Sequence, residues 1–334
     1  MTPKTSIHLP SSIPAGEATR LACLVEQAGV NSVWLSEDLF FRGAVPTAGA
    51  VAQATSRINI GFGVLTPYNR HPSLIAMDMA SLLELAGDRV VMGLGAGVKA
   101  RVDRTGVDYT KPLAAMKESV EIVRGMLAGN SVTVAGEVHS AIDLSLDIPV
   151  TWGDVPIYLA STGPRSLRQT GEIADGLVMT IMSSTQHVEW ATRISNEAAR
   201  EAGKPNPMPA VVYMPLSVDD DSRMAIQSLK ETVAFFIQRW AAIPTLAELF
   251  TKWGPLEQDE LDELAGRLNG GASPASVVPD SLVTEYCVAG TRAECIAKLE
   301  ELREAGVTEV AFDIGKTGRG LGEFANEVIE LTNT

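Results

Sequence analysis

The sequence predicts an α/β fold, a closed (β/α)8 TIM barrel, and the first reason is a short pattern that recurs where helices give way to strands. Its clearest copies are Glu26-Gln-Ala-Gly-Val-Asn-Ser-Val-Trp and Arg303-Glu-Ala-Gly-Val-Thr-Glu-Val-Ala. Glycine after the last helical turn supplies the left-handed residue that ends a helix, and the β-branched run after it favours a strand. Repetition of this junction predicts βα units and therefore a parallel sheet.

The second reason is the alternation of strands and helices along the chain. Strands are predicted near residues 5–9, 32–36, 57–64, 89–96, 156–160, 175–181, 209–217 and 308–314. Helices are predicted near residues 14–28, 44–55, 72–86, 110–128, 164–172, 186–202, 221–240 and 291–305, with a last one near 322–332. The helix at 110–128 is the best defined, because its apolar residues recur at three- and four-residue spacing. An open doubly wound sheet is the alternative, since the number of strands does not separate the two architectures.

Two segments interrupt this alternation. Residues 130–155 are predicted to form a short hairpin before the fifth strand, and residues 241–282 to form an insertion with a short helix. Loops of this length are usually lids or binding loops. We therefore expect one barrel domain over residues 1–334, with both segments near its mouth.

Composition and charge exclude several classes of function. The chain has 334 residues, is 46% hydrophobic and carries a formal net charge of -14, which argues for a globular protein and against a nucleic-acid or membrane-surface partner. Its 3 cysteines are widely spaced, as in proteins of a reducing compartment. We find no signal peptide, long apolar span or group of residues with metal-ligand spacing, and we expect a cytoplasmic protein without a metal.

The third and fourth predicted strands both alternate apolar residues with glycine. Ile60, Phe62 and Val64 alternate with Gly61 and Gly63. The same alternation places Gly93, Gly95 and Gly97 in the next strand. Period-two alternation places the glycines on one face, which in a barrel would be the inner one. We interpret this as the seat of a flat ring system; the alternative is bulges or close packing without a ligand.

Small residues also follow the fifth strand, where Ala160-Ser-Thr-Gly-Pro-Arg165 opens a helix. Backbone N–H groups at a helix N-terminus favour an anion, so this turn is a candidate phosphate site. The alternative is an ordinary turn with Thr162 as the helix cap. Gly95-Ala-Gly-Val-Lys-Ala100 matches a dinucleotide fingerprint, but it ends a fourth strand and opens no helix directly, which argues against a Rossmann site.

Three titratable residues follow the first two strands. Glu37 and Asp38 come after the second strand, and His8 ends the first. Catalytic residues of a barrel collect at the carboxyl ends of its strands, and histidine titrates near neutral pH. The alternatives are a solvated loop or helix cap for the two acids and a structural histidine.

Five segments along the chain share their residues with one enzyme family. They are Gly61-Phe-Gly-Val-Leu-Thr-Pro-Tyr-Asn-Arg-His-Pro, Gly93-Leu-Gly-Ala-Gly-Val-Lys-Ala, Gly106-Val-Asp-Tyr-Thr-Lys-Pro, Met116-Lys-Glu-Ser-Val and Pro156-Ile-Tyr-Leu-Ala-Ser-Thr-Gly-Pro-Arg. In these segments the chain resembles the F420-dependent methylenetetrahydromethanopterin reductases of the bacterial-luciferase-like superfamily. The likeness covers most of the chain outside about 215–282.

The resemblance implies a barrel with a deazaflavin at its mouth and a cis peptide bond between Gly63 and Val64 behind the ring. It implies cofactor contacts at Ser36, Gly63, Val64, Thr66, Gly95, Gly97, Ala160, Ser161, Thr162, Gly163 and Arg165. The chain departs from the family at His8, where the reductases have Glu, at Glu37-Asp38, where relatives have Asp-His, and at Val98, where they have Asp. The fold and cofactor therefore follow from the resemblance more directly than the substrate.

We expect a coenzyme F420-dependent oxidoreductase that transfers a hydride to or from a small organic substrate. His8 or Asp38 would relay the proton, Glu37 would contact the cofactor edge, and the 241–282 insertion would cover the substrate. The alternatives are an FMN-dependent monooxygenase and a flavin-binding barrel without catalysis. The family likeness also implies a homo-oligomer.

Overall fold

A computed structural model describes residues 2–332 and contains the parallel sheet that the helix-to-strand junctions predict. Its strands are β1 (Lys4–Leu9), β2 (Ser32–Leu35), β3 (Asn59–Phe62), β4 (Val90–Leu94), β5 (Val132–Val134), β6 (Ala141–Leu144), β7 (Ile157–Ala160), β8 (Gly176–Met179), β9 (Ala210–Val218), β10 (Val288–Gly290) and β11 (Glu309–Asp313). Each barrel strand lies within one of the ranges predicted from sequence or extends beyond it by a single residue.

The helices follow the same alternation. They are α1 (Ala15–Gln27), α2 (Ala44–Ala54), α3 (Pro72–Ala86), α4 (Lys99–Val102), α5 (Pro112–Leu127), α6 (Pro164–Ile173), α7 (Thr185–Glu201), α8 (Ser222–Trp240), α9 (Pro244–Ala247), α10 (Gln258–Asn269), α11 (Pro274–Val277), α12 (Asp280–Tyr286), α13 (Arg292–Glu304) and α14 (Leu321–Thr332). Among residues 2–332, none of these helices is long and apolar enough to cross a membrane.

The sheet closes on itself. The order runs β9-β11-β1-β2-β3-β4-β7-β8, and β8 pairs in parallel with β9 to complete the ring. The (β/α)8 barrel is therefore confirmed, and the open doubly wound sheet is wrong. In this ring β1 lies beside β11, with Ile7 opposite Phe312, so the carboxyl ends of the first and last strands are neighbours.

The two interrupting segments have different structures. Residues 130–155 contain the predicted hairpin, in which β5 and β6 pair antiparallel. The 241–282 segment is more helical than the single short helix that we expected, because it holds α9, α10 and α11 and the start of α12. Its helices pack on α8.

Apolar side chains on the two faces of the sheet belong to two cores. The outward set, including Ile60, Phe62 and Met92, is fully buried beneath the surrounding helices. The inward set, including Trp34 and Tyr213, joins side chains of α8 and the 241–282 segment in one continuous cluster. The interior of the barrel and the core of the insertion thus form one continuous hydrophobic core.

The hairpin is held to the barrel by a buried carboxylate on α5. Glu118 accepts backbone N–H bonds from Glu137 at 2.7 Å, Val138 at 3.1 Å and His139 at 2.7 Å. Burial by itself raises the pKa of the Glu118 carboxyl, but these N–H groups and the nearby His139 outweigh it, so the pKa lies below the usual value of 4.5. Charged Glu118 therefore stabilises the fold.

We expect Glu118→Gln to lower the free energy of unfolding at pH 7 by about 1–3 kcal/mol, because hydrogen bonds to a buried charge are lost. Because the pKa of Glu118 is lower in the folded state than in the unfolded state, its charged carboxyl stabilises the fold fully above the unfolded-state pKa. This stabilisation is lost as the pH falls through the folded-state pKa. The difference from the parent protein should therefore be constant near neutral pH and shrink below about 4.5. Chemical unfolding at a series of pH values measures it.

Glu121→Gln, one turn later on the exposed side of α5, is the matched control and should change little. An equal loss in both variants would contradict the role given to the Glu118 carboxylate.

Candidate active site at the carboxyl end of the barrel

The inward-facing glycines accommodate aromatic side chains from other strands of the barrel: Trp34 from the neighbouring strand β2 and Tyr213 from β9 on the opposite side. The ring of Trp34 lies 2.5 Å from where a Cβ atom on Gly61 would be, and a Cβ on Gly63 would overlap the Tyr213 hydroxyl. The space that we attributed to an external ring system is therefore filled, at these levels, by the protein itself. The earlier interpretation was wrong for Gly61 and Gly63, because both glycines are needed for packing within the barrel.

A shallow apolar floor lies one level higher, around Gly95. A Cβ on Gly95 would lie 2.6 Å from Cγ2 of Val64 and 3.2 Å from Cβ of Ala160, so only glycine fits between them. The peptide bond between Gly63 and Val64 is cis, as the family resemblance implied. Val64 and Gly95 follow the ends of β3 and β4, and Ala160 ends β7, the next strand in the ring. We call these three residues the floor.

Thr66 and Gly97 lie beside the floor. The Thr66 hydroxyl donates to the Ala96 carbonyl at 3.3 Å, and Gly97 has a positive φ of 74°. A Cβ on Gly97 would lie 3.3 Å from Oγ1 of Thr66, which crowds a position already unfavourable for other residues. The two residues fix the loop after β4 against the loop after β3.

His8 projects from the end of β1 and is paired with an acid that sequence reasoning missed. Its Nδ1 atom donates to Oδ2 of Asp313 at 2.7 Å, and both side chains are largely buried. The imidazole stacks on Tyr213, with ring centroids 4.6 Å apart and planes 14° apart. Among the described residues, His8 Nε2 and the Tyr213 hydroxyl are buried without a hydrogen-bond partner.

Asp313 could have been found from the sequence. It ends the last strand, and strands one and eight of a closed barrel are neighbours, so a residue at the end of each must lie close together. Tyr213 was harder to find, because it lies within a long apolar strand whose inward face depends on register.

Buried tyrosine and carboxylate groups fill the barrel below His8. The Glu309 carboxylate accepts a 2.7 Å bond from Nε1 of Trp34 and a short bond from the Ser6 hydroxyl. Burial, together with the negative charge of Glu309, raises the pKa of Tyr213 well above its usual value. The Tyr213 hydroxyl is therefore protonated at neutral pH.

The acids after β2 are engaged within the protein. Glu37 accepts from the backbone N–H of Ala44 at 3.1 Å and lies 3.5 Å from Arg70, so it caps α2. Asp38 accepts a 2.9 Å bond from the hydroxyl of Ser36. The helix-cap alternative describes Glu37 best, although the helix begins at Ala44 and not after Pro46.

The turn after β7 begins α6 without a side-chain cap. Gly163 is the N-cap residue, so the alternative in which Thr162 caps the helix is wrong. The Ser161 hydroxyl is bonded to that of Thr170 at 2.8 Å, and Arg165 is exposed on the first turn. Because Pro164 has no N–H group, the backbone N–H groups of Arg165 and Ser166 are the first donors inside this uncapped helix end.

The predicted cofactor residues and His8 are brought together by a chain of contacts. His8 stacks on Tyr213, whose hydroxyl abuts Gly63; Val64 covers Gly95, and Gly95 adjoins Ala160 beside the start of α6. Glu37 and Asp38 lie on the neighbouring loop, with their oxygens occupied as described. Within residues 2–332, no group of three or more His, Cys, Asp or Glu side chains is placed to hold a metal ion.

Comparisons with known proteins match the chain over most of its length. The sequence profile of a family described as luciferase-like monooxygenase matches residues 2–309. The chain is 30% identical over 326 residues to the 5,10-methylenetetrahydromethanopterin reductase of Methanolobus tindarius, and the alignment covers 97% of each chain. It is 26% identical over 326 residues to an F420-dependent glucose-6-phosphate dehydrogenase of Beutenbergia cavernae, covering 92% of this chain and 90% of that relative.

Solved structures share the fold. The coenzyme F420-dependent tetrahydromethanopterin reductase from Methanopyrus kandleri superposes with a TM-score of 0.85 and 24% identity, over 99% of this chain and 98% of that one. At this identity the likeness is one of architecture, and it extends through the 241–282 segment.

We expect Gly63→Ala to lower the free energy of unfolding by about 1–3 kcal/mol, because the new methyl group displaces Tyr213 and with it the His8 ring. Chemical denaturation and near-ultraviolet circular dichroism measure the effect.

Gly49→Ala on α2 is the control, since nothing lies within 4 Å of its new methyl group. Alanine is the better helix former, so this variant should be neutral or slightly more stable. The same response in both variants would mean that Tyr213 does not occupy the place described.

Proposed function

This chain belongs to the luciferase-like monooxygenase family, and from that premise we propose that it is a coenzyme F420-dependent oxidoreductase that transfers a hydride between the deazaflavin and a small organic substrate. The relatives with the higher identities are named for F420-dependent reactions or for methylenetetrahydromethanopterin reduction. The observation that carries the proposal is the continuous run of contacts from His8, across the floor, to the uncapped start of α6.

The floor and the turn after β7 fit the two chemical parts of such a cofactor. A flat ring needs an apolar surface without protruding side chains, which Val64, Gly95 and Ala160 provide. A phosphate needs N–H donors, which the first turn of α6 provides without a competing side chain. When bound, the deazaflavin supplies the hydride-accepting or hydride-donating carbon. The protein positions that carbon and excludes water from it.

His8 is the residue that we assign to proton transfer. Its Nε2 atom has no partner among the described residues, whereas Asp38 and Glu37 are engaged by Ser36, Ala44 and Arg70. This favours His8 over Asp38 as the proton relay and gives Glu37 a role in holding the loop after β2. The 241–282 segment, whose side chains are continuous with the barrel interior, would cover the substrate.

We further propose that the protein works in the cytoplasm as a homo-oligomer. Its three cysteines are unpaired, as in proteins of a reducing compartment. Leu74, Met77 and Leu85 are about half exposed along α3, and an apolar stripe of this kind favours association with a second copy. Analytical ultracentrifugation tests the assembly.

We expect the purified protein to bind coenzyme F420 with micromolar or tighter affinity and FMN more weakly, as followed by ring fluorescence. Stronger binding of FMN would favour the monooxygenase alternative, and binding of neither would contradict the proposal. Reduction of an added substrate by reduced F420 would distinguish a catalyst from a barrel that only binds the cofactor.

Gly163→Asp tests the anion site within the same titration. An aspartate N-cap stabilises a helix by about a few tenths of a kcal/mol relative to a glycine N-cap, and its carboxylate occupies the N–H groups that a phosphate needs. We expect an equal or higher melting temperature together with at least about tenfold weaker F420 binding.

Gly163→Ala is the matched control, because a Cβ at this position has no neighbour closer than 3.9 Å. It should bind F420 like the parent protein. Unchanged affinity in Gly163→Asp would place the phosphate elsewhere.

A further inference from the structure

The far end of the β5–β6 hairpin, residues 136–140, meets the start of α3 through two histidines. We call these five residues the tip. Nε2 of His71 lies 3.2 Å from the carbonyl oxygen of Ser140, and the rings of His71 and His139 pack edge to face with centroids 5.8 Å apart. His139 is buried, with 7% of its surface exposed. The tip therefore encloses one imidazole and contacts a second.

The hydrogen bonds of His71 require its neutral form with the proton on Nε2. Its Nδ1 atom accepts from the backbone N–H of Ser73 at 3.2 Å and so caps the first turn of α3. A ring nitrogen that accepts carries no proton, so the proton lies on Nε2, which donates it to Ser140. The helix cap and the contact with the tip thus use the same tautomer.

His139 is enclosed by side chains from three other elements. They are His71 on α3, Glu118 on α5 and Tyr68 on the loop after β3, whose ring lies 6.2 Å from that of His139. Tyr68 stacks on Tyr109 and is uncharged, because burial raises its pKa to about 12. Nε2 of His139 is buried without a hydrogen-bond partner among the described residues.

A proton on His139 is bound less readily in the closed tip than in an open one. Burial lowers the pKa of His139, His71 lowers it further, and the Glu118 carboxylate opposes both. An imidazole exposed in an open tip titrates near its usual value of about 6.5. As the pH falls through that value, the open tip gains a proton that the closed tip does not bind. Opening therefore becomes more favourable in acid.

The contact between the tip and Glu118 keeps its charge over this pH range. The backbone N–H bonds hold the pKa of Glu118 below 4.5, and a Cβ on Gly136 would lie 2.5 Å from its carboxyl carbon, so the tip fits closely against it. At the surface of the tip, Lys111 pairs with Glu137 where solvent screens the pair. Near neutral pH the titrating groups at this contact are thus imidazoles.

We propose that the tip is an acid-sensitive latch, in which neutral His71 holds the tip closed and protonation of His139 releases it. Release frees the outer end of the loop after β3, whose inner end carries Val64 and Thr66. The latch goes beyond the proposed function and is independent of it, since every measurement below is made without cofactor.

Hydrogen exchange of the tip amides tests the latch. The N–H groups of Glu137, Val138 and His139 bond to Glu118, so their protection relative to an unstructured peptide at the same pH reports the closed tip. We expect this protection to fall about tenfold between pH 7.5 and 5.5, the effect of one histidine that is protonated in the open tip alone. The amide of Met92, bonded within the barrel, should keep its protection.

Two variants separate the proton from the ring. His139→Phe keeps an aromatic ring against His71 and Tyr68 but binds no proton, so its tip protection should vary less than about twofold over the same pH range. His71→Asn keeps a residue that caps helices and loses the bond to Ser140, so it should lower protection about threefold to tenfold at pH 7.5. His139→Gln serves instead of His139→Phe if the latter does not fold.

Nitrogen-15 spectra of the histidine rings give a readout in the parent protein that needs no variant. Neutral His71 should carry its proton on Nε2, and the pKa of His139 should lie below 6.5. Constant tip protection between pH 7.5 and 5.5, an equal fall in His139→Phe, or a His139 pKa above 6.5 would each overturn the latch. A proton on Nδ1 of neutral His71 would contradict its part in holding the tip.

Discussion

The aromatic packing inside the barrel is the constraint on which the position of the candidate site depends. Trp34, Tyr158 and Tyr213 project inward, and each requires a glycine opposite its ring. Gly61 and Gly176, on neighbouring strands, have their missing Cβ positions 2.5 Å from the rings of Trp34 and Tyr158, and Gly63 faces Tyr213 from across the barrel. Interiors of such barrels are usually filled by branched aliphatic residues in layers. Here three large rings contribute to the filling, and the floor of Val64, Gly95 and Ala160 is made of smaller residues.

The same packing separates two kinds of polar group. Below the rings, the Glu309 carboxylate is satisfied by Trp34 and Ser6 and contributes a closed hydrogen-bond network. Above them, His8 and Tyr213 each keep one polar atom without a partner among the described residues. Satisfied buried groups stabilise a fold, whereas unsatisfied ones lower its stability. The polar groups of the interior therefore change from satisfied to unsatisfied along the barrel axis.

Much of the fold and of the candidate site could be predicted from the sequence, for reasons that differ between residues. The barrel follows from glycine-terminated helices and apolar strands, which are local signals, and His8 follows from its place at a strand end. The floor was predicted through Gly95, Val64 and Ala160, but the meaning of Gly61 and Gly63 was not, because it depends on large side chains that come from other strands. The role of Glu37 also depends on a non-local contact, since its carboxylate caps a helix seven residues away and pairs with Arg70.

The continuity between the barrel interior and the 241–282 segment also limits how this chain can diverge or be redesigned. Trp34 and Tyr213 belong to the same apolar cluster as Phe250 and Leu261, so the segment is not a detachable module. A chimera that received this segment from a relative would inherit mismatched contacts with the rings that support His8. Lineages that change this segment must therefore change the inner face of the barrel with it, so substitutions in the two regions should occur together.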